Sequence, residues 1–494
     1  VISRIRQSIW PRDTARRFLT LLLALFACTQ LLIVIIFPPF SGHDEVAHFD
    51  YARLIAQEQR LPLIPELETW RAQRASGEPV TGDFLASDLY PYCLFALEWW
   101  PCEPDNPERA ANPPYEAIDS VTGDSFPIAW QYAANHPPLF YVLAAPVQWL
   151  LDGQGLGVQN RVLRLLAIPF GALVVAGTFA LARRITPQSG FVPVVAATGI
   201  AFQPQVAYSA AIFNNDVTVI AAGVWLLVLL MTGIRRGFDR RLVVGAGLLL
   251  GVGLLLKGTM LVFAPVVALA LIAGTGWRQI GVWLPKGLVI AGIGFGMASP
   301  WYLYLWRTYG NLSGLEQVAQ LQALWNYPNG APGFAELLTD GAFIQRFWRE
   351  LWGGYGWRRI PFEDGLLIGF GLVCLFGVVG LGMAFAHGHQ RGGAAAVQGL
   401  DAVGTRQATV LVASVGLAYL AVIQFGTTFE LAQARYVFPA LPAAAVLLAI
   451  GVSAIVPSRA RRYALVLWVA GALAVTVFIY SAYVIPYWYL GADR

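Results

Sequence analysis

Three acids, two histidines and a tyrosine fall within the run Ser41-Gly42-His43-Asp44-Glu45-Val46-Ala47-His48-Phe49-Asp50-Tyr51. The run follows directly on an apolar stretch that ends at Phe37-Pro38-Pro39-Phe40. Charge placed against hydrocarbon is costly, so ionisable groups at such a boundary suggest function. On a helix starting near Gly42, Asp44 and His48 stand four residues apart on one face, with Tyr51 on the same side. A carboxylate there can serve as a general base, because burial moves its pKa towards the working pH. Asp44, Glu45 and His48 could also hold a divalent cation. The spacing is not that of the zinc-protease helix, whose histidines lie four apart; here His43 and His48 are five apart. The plain alternative is an acidic first turn that complements the helix dipole.

Further candidates are scattered along the chain: His136, Asp216, Lys257, Arg358, Glu430 and Arg435. Lys257 closes the apolar run Leu254-Leu255-Leu256 and Arg435 opens another. Snorkelling to an interface would explain both. The functional alternative is a phosphate held at a membrane surface, since guanidinium forks suit phosphate oxygens. Asn214-Asn215-Asp216 reads as a helix cap or as part of a site. The aromatic and glycine-rich run from Trp348 to Arg359 includes Trp357. It reads as an interfacial belt or as a platform for a sugar ring. Cys93 and Cys102 flank a short aromatic segment and could close a disulfide in an oxidising compartment, or remain free thiols. Cys28 and Cys374, inside apolar runs, are expected to pack in the core. The sequence shows no glycine-rich nucleotide loop, no zinc-type Cys/His array and no nucleophilic serine motif.

The elements that must carry these groups are membrane helices. Of 494 residues, 57% are hydrophobic and 13% charged, with a mean hydropathy of +0.58. That charge is about half of an ordinary soluble chain's. The expected fold is an all-α polytopic membrane protein of about eleven transmembrane helices. The spans are placed at about 18–37, 162–183, 191–212, 217–234, 242–257, 259–275, 281–303, 365–386, 408–426, 437–456 and 463–484. Arginines mark the inner loops, with Arg183-Arg184, Arg235-Arg236 and Arg461-Arg462 as pairs, so the N-terminus is read as inside and the C-terminus as outside. The first span is read as retained rather than as a cleaved signal. Residues 138–151 are apolar but too short to span, and are read as an interfacial helix. One transmembrane domain, 1–494, is expected. Its first outer loop, 38–161, carries juxtamembrane helices, its second covers 307–364, and no separate soluble domain is expected. The candidate groups all fall on the outer side.

The order of several short motifs resembles the GT-C superfamily of integral-membrane glycosyltransferases. The branch is that of protein O-mannosyltransferases and the lipid A aminoarabinose transferase, together with a related set of uncharacterised bacterial multi-pass proteins. Asp44-Glu45 after the first span is similar to that superfamily's acidic motif. His136-Pro137-Pro138-Leu139-Phe140-Tyr141 resembles its Pro-Pro-Leu-Tyr element, and Asn215-Asp216 its Asn-Asp at a span start. Leu256-Lys257-Gly258, Ser299-Pro300-Trp301-Tyr302 and Gln433-Ala434-Arg435-Tyr436-Val437-Phe438-Pro439-Ala440-Leu441-Pro442 match further elements.

The resemblance implies a sugar donor on a polyprenyl phosphate or diphosphate, attacked by an acceptor outside the cytoplasm. Asp44 would be the base, with Glu45 and His48 orienting it or helping to hold a cation. Lys257, Arg435 and Arg358 would bind the donor phosphate. Tyr51, His136, Asp216, Trp357 and Glu430 would contact substrate. The expected partners are a polyprenyl-phosphate-linked sugar, membrane lipids and an acceptor that is a glycan, lipid or protein, with no nucleic acid. No cofactor is expected beyond a possible divalent cation, and the expected location is a bacterial cytoplasmic membrane. The alternatives are a non-catalytic lipid-binding or assembly subunit of the same fold and, more remotely, a transporter.

Overall fold

The computed structural model describes residues 12–92, 115–119, 121–327, 330–390, 400–430 and 432–491. Cys93 and Cys102 lie outside them. Among the described residues, nine helices are long and apolar enough to cross a membrane. The chain is a multi-pass membrane protein. Helix α1 (Arg12–Ile36) leads to the acidic run, where α2 (Glu45–Glu58) and α3 (Leu67–Ser76) follow. A short antiparallel hairpin pairs Tyr115–Ile118 with Ser125–Ile128, and isolated bridges join Phe84 to Trp130 and Tyr355 to Ile360; the other elements among the described residues are helical. Next come α4 (Leu139–Leu150) and α5 (Leu156–Leu165), which runs into α6 (Ala167–Ile185). With 12 residues α4 is too short to span, and it packs on α2.

Two expected spans fall short of the crossing length. The segment 191–212 is broken into α7 (Phe191–Ala201) and α8 (Pro204–Ser209). Its sequence explains the break. Gln203 is extended, its side chain accepts from the Val206 N–H, and Pro204 occupies the first helical turn, where a missing N–H costs nothing. Gln203 and Gln205 then donate to the carbonyls of Leu351 and Gly353 in the second loop. The segment expected at 242–257 is α10 (Arg240–Leu256), 17 residues long, and it follows α9 (Asp216–Arg236).

Helix α9 is the axis of the bundle, with 89% of its most apolar window buried. It packs against α6, α10 and Phe263–Thr275. By contrast, Ile280–Tyr309 and Arg461–Tyr489 are only 11% buried. Their outward faces carry Leu288, Val289, Leu303, Val466 and Leu467, as helices bathed in lipid do. Cys28 is on such an exposed face rather than in the core as expected, and Cys374 is half-buried; both are free. Small residues allow close helix packing. A Cβ on Gly451 would stand 1.8 Å from the Gly377 carbonyl oxygen, so the helix Asp364–Gln390 touches Leu441–Ile455 backbone to backbone.

The ends of these helices sort the charges. Asp44 lies beyond the end of α1, Asp216 opens α9, Lys257 follows α10, and Arg435 lies at the start of the span Ala434–Ile455. All four meet at one end of the bundle. The arginine pairs gather at the other, where Arg235 bonds the Arg184 and Ile185 carbonyls and pairs with Asp401.

Candidate active site

Asp44 stands at the N-cap position of α2 but does not cap it. Its backbone is left-handed, φ 58° and ψ 7°, a conformation costly for a residue with a side chain. The carboxylate is thereby released from the helix end and pairs with Arg435, whose guanidinium also lies 3.4 Å from Asp216. Asp216 in turn pairs with Lys257. The result is a buried cluster of two carboxylates and two cations from four distant parts of the chain. Lys257 and Arg435 are 8% and 11% exposed in their side chains, too buried for snorkelling to explain. Both cations also lie within 5.7 Å of the Tyr436 ring centre, adding cation–π attraction.

Arg435 and Gln433 separate two cavities. The larger encloses about 720 Å³ of empty space continuous with solvent, and is lined by Asp44, Tyr132, Asn135, His136, Lys257 and Tyr436 among others. The smaller, about 350 Å³, holds His43, Asn214, Asp216, Glu350 and Arg358. In the smaller cavity Arg358 pairs with Glu350 at 2.6 Å.

His48 is buried, with its Nδ1 2.7 Å from the Tyr141 hydroxyl. That hydroxyl lies 3.3 Å from His136 Nδ1. Tyr51 stacks on Tyr141 at 3.8 Å and donates to the His136 carbonyl. His48 and Tyr51 meet around Tyr141 and His136, and of these four residues only His136 lines the larger cavity with Asp44. Burial lowers His136 to about 3, with Lys257 adding to the effect. Burial also takes His43 to about 3, with Arg435 the second cause, and holds His48 well below its ordinary value. All three are neutral at physiological pH.

Glu45 does not share this place with Asp44. Its carboxylate is wholly buried and paired with Arg164 at 2.6 and 2.8 Å. It also accepts from the Gly42 N–H at 2.8 Å and the Phe213 N–H at 2.7 Å. Gly42 permits this fold-back, since a Cβ there would meet the Glu45 side chain at 2.5 Å. Arg164 spends its remaining donors on the carbonyls of Phe37 and Pro38. The pair therefore clamps the exit of α1, and both Glu45 oxygens are taken, leaving none for a cation. Asp44, Glu45 and His48 do not fit a shared metal site, because each is committed elsewhere. Among the described residues no group of three or more His, Cys, Asp or Glu side chains converges on one.

Glu430 is half-buried, accepts weakly from the Tyr327 N–H, and lines neither cavity. The side chain of Trp357 lies outside the described residues. Its neighbour Tyr355 is 0% exposed and packs among Phe37, Tyr208 and Tyr480. Trp352 stacks on Phe370 at 4.3 Å. These two rings of the aromatic run build core instead of offering a sugar platform. Residues missed at the sequence level include Arg164, Tyr132 and Glu350. Arg164 carried a signal, as a charge inside an apolar helix; Tyr132 and Glu350, in outer loops, carried none.

The family model for dolichyl-phosphate-mannose-protein mannosyltransferases matches residues 135–304. That segment holds His136, Asn215, Asp216 and Lys257 but neither Asp44 nor Arg435. ArnT from Cupriavidus metallidurans, bound to undecaprenyl phosphate, superposes with a TM-score of 0.51 at 12% identity, over 92% of this chain and 63% of that one. The fold is similar to that of ArnT. The chain spans less than two thirds of the length of ArnT. The oligosaccharyltransferase of Archaeoglobus fulgidus in its apo form is also similar, with a TM-score of 0.46 and 13% identity over 93% of this chain and 54% of that one. AglB from the same organism, in complex with an inhibitory peptide and a dolichol-phosphate, has a TM-score of 0.43 and 14% identity over 94% and 54%. No curated protein matches the chain.

Proposed function

We propose that this chain is a glycosyltransferase that moves a sugar from a polyprenyl phosphate carrier to an acceptor on the extracytoplasmic face of a bacterial cytoplasmic membrane. The observation that carries the reading is the ion-pair cluster of Asp44, Asp216, Lys257 and Arg435 at one end of the bundle, with Asp44, Lys257 and Arg435 lining the larger, solvent-connected cavity and Asp216 the smaller one. The family model over residues 135–304 and the ArnT fold support a lipid-linked donor. The arginine pairs at the opposite end support placing this end outside.

In this reading Asp44 takes the proton of the acceptor hydroxyl or amine as the acceptor atom bonds to the anomeric carbon. The bond from that carbon to the phosphate oxygen breaks, and its electron pair stays on the phosphate. Lys257 and Arg435 face the charge that develops there, a preorganised stabilisation that water would provide poorly. Asp44 is paired with Arg435 before substrate arrives. A donor phosphate competes for the same guanidinium, so donor binding frees the carboxylate to act as base. Arg358, across Arg435 in the smaller cavity, extends the cationic surface towards a second phosphate or a sugar.

The test uses purified full-length protein and a panel of labelled polyprenyl-phosphate sugars, with release of lipid phosphate as the readout. Turnover with at least one donor supports the reading. Tight lipid binding with no turnover across the panel would replace it with a non-catalytic lipid-binding subunit.

A further inference from the structure

His48, Tyr141, His136 and Asn215 form a chain of contacts behind the larger cavity, and one proton arrangement satisfies it. Asn215 Nδ2 lies 3.0 Å from the Leu256 carbonyl oxygen, so this amide nitrogen donates there; the flipped amide would set two oxygens against each other. The same nitrogen lies 3.2 Å from His136 Nδ1. An amide nitrogen cannot accept, so His136 Nδ1 must carry a lone pair. The Tyr141 hydroxyl, 3.3 Å from that Nδ1, then also donates to it. With its proton spent, the Tyr141 oxygen accepts from His48 Nδ1 at 2.7 Å, which must therefore hold a proton. With all three contacts made as hydrogen bonds, donation runs from His48 to Tyr141 to His136, with Asn215 donating from the other side.

This leaves His136 Nε2 as the protonated ring nitrogen, with no hydrogen-bond partner among the described residues, on a side chain that lines the cavity beside Lys257 and Arg435. We propose that His136 is a neutral hydrogen-bond donor to a phosphoryl oxygen in the larger cavity, and that Asn215, Tyr141 and His48 are positioning residues that fix its tautomer. Because burial holds both imidazoles neutral, the donation needs no protonated histidine. A neutral donor adds direction to the point charge of Lys257 without a further cation to desolvate. The proposal rests on the lipid-phosphate reading for its ligand, but its tautomer assignment stands on the hydrogen bonds alone.

The test is nitrogen-15 NMR of full-length protein labelled at histidine, a set of five residues. Long-range proton–nitrogen correlations distinguish the two tautomers. The expected spectrum has His136 protonated at Nε2 and His48 at Nδ1. Asn215→Asp, which replaces the donor with an acceptor, is expected to turn His136 to the Nδ1–H form. A shared tautomer for both histidines, or an unchanged His136 in Asn215→Asp, overturns the positioning chain. Undecaprenyl phosphate is then added, with its binding followed independently by phosphorus NMR. A downfield move of the His136 Nε2–H is expected, and inorganic phosphate reproducing it would mean that the phosphoryl group suffices. Lipid bound with this proton unmoved overturns the ligand assignment. No lipid binding at all overturns it together with the donor reading, while the tautomers are still decided by the ligand-free spectrum. His136→Leu is expected to weaken undecaprenyl phosphate binding roughly tenfold or more, with His136→Gln, which keeps a donor, recovering part of the loss.

Discussion

Glu45 offers the sharpest separation between a catalytic and a structural acid, because it neighbours Asp44 in sequence yet lies in a different environment. Its carboxylate takes two donors from Arg164 and one each from the Gly42 and Phe213 N–H groups, all within 2.6–2.8 Å and fully buried. Glu45→Ala strands the Arg164 guanidinium. Breaking a buried pair from one side costs about 3–5 kcal/mol. It also leaves two buried N–H groups unsatisfied, at about 1–3 kcal/mol each. Even with partial relaxation, the expected loss is at least about 5 kcal/mol, comparable with the whole stability of many domains. The assay is thermal unfolding in detergent alongside yield of monodisperse protein. Glu45→Ala should be nearly unrecoverable. Glu45→Leu combined with Arg164→Leu should recover part of the loss, because no charge is then stranded. The recovery stays partial, since Arg164 also holds the Phe37 and Pro38 carbonyls. A Glu45→Ala protein that melts within about 1 kcal/mol of wild type would refute this reasoning. If that protein were also inactive, Glu45 would return to the catalytic set.

Arg435→Ala should weaken undecaprenyl phosphate binding by roughly 10–150-fold, the worth of a charge-assisted hydrogen bond, and more than Asp44→Asn does; measured affinities in the reverse order would contradict the phosphate assignment. Arg435→Lys should fall between, since it keeps the charge but loses the fork. Acid should destabilise the protein through His43, His48 and His136. Their folded values lie below the unfolded value of about 6.5, so their contribution is present above that pH and is lost as pH falls, towards about 3 for His43 and His136. Between pH 7.5 and 5.5 His43 and His136 should each cost about 1.4 kcal/mol, Asp50, raised by burial to about 6, acts in the opposite sense, and His43→Gln should flatten the melting-temperature profile. Gly451→Ala should reduce folded yield sharply, because its Cβ would overlap the Gly377 carbonyl; normal yield would show that these helices can separate cheaply.

Much of the architecture was legible because membrane burial imposes long apolar runs and arginine-marked ends. The broken segment at 191–212 shows the limit. Its hydropathy reads as a span; Pro204 allows the break locally, and the pairing of Gln203 and Gln205 with a loop about 150 residues away, which holds the break in place, is not visible in the sequence. Asp44, Lys257, Asp216 and Arg435 were readable as costly charges at helix ends, and the fold brings those four together. The roles of Glu45 and His48 were not readable. Adjacent residues on a helix face different directions, and the partner that absorbs Glu45 sits 119 positions away. The rings of Tyr355 and Trp352 looked available for a sugar because sequence does not reveal which aromatics a membrane bundle consumes as packing.

The central claim is that Asp44 removes a proton while Lys257 and Arg435 receive a lipid phosphate. It is tested most directly by the rate of undecaprenyl phosphate release from a lipid-linked sugar, measured for wild type and Asp44→Asn in the same membranes with donor binding followed in parallel. Asp44→Asn is expected to bind donor within a few-fold of wild type while release falls by about 100-fold or more, the range for loss of a general base. Equal release rates for the two proteins would contradict it.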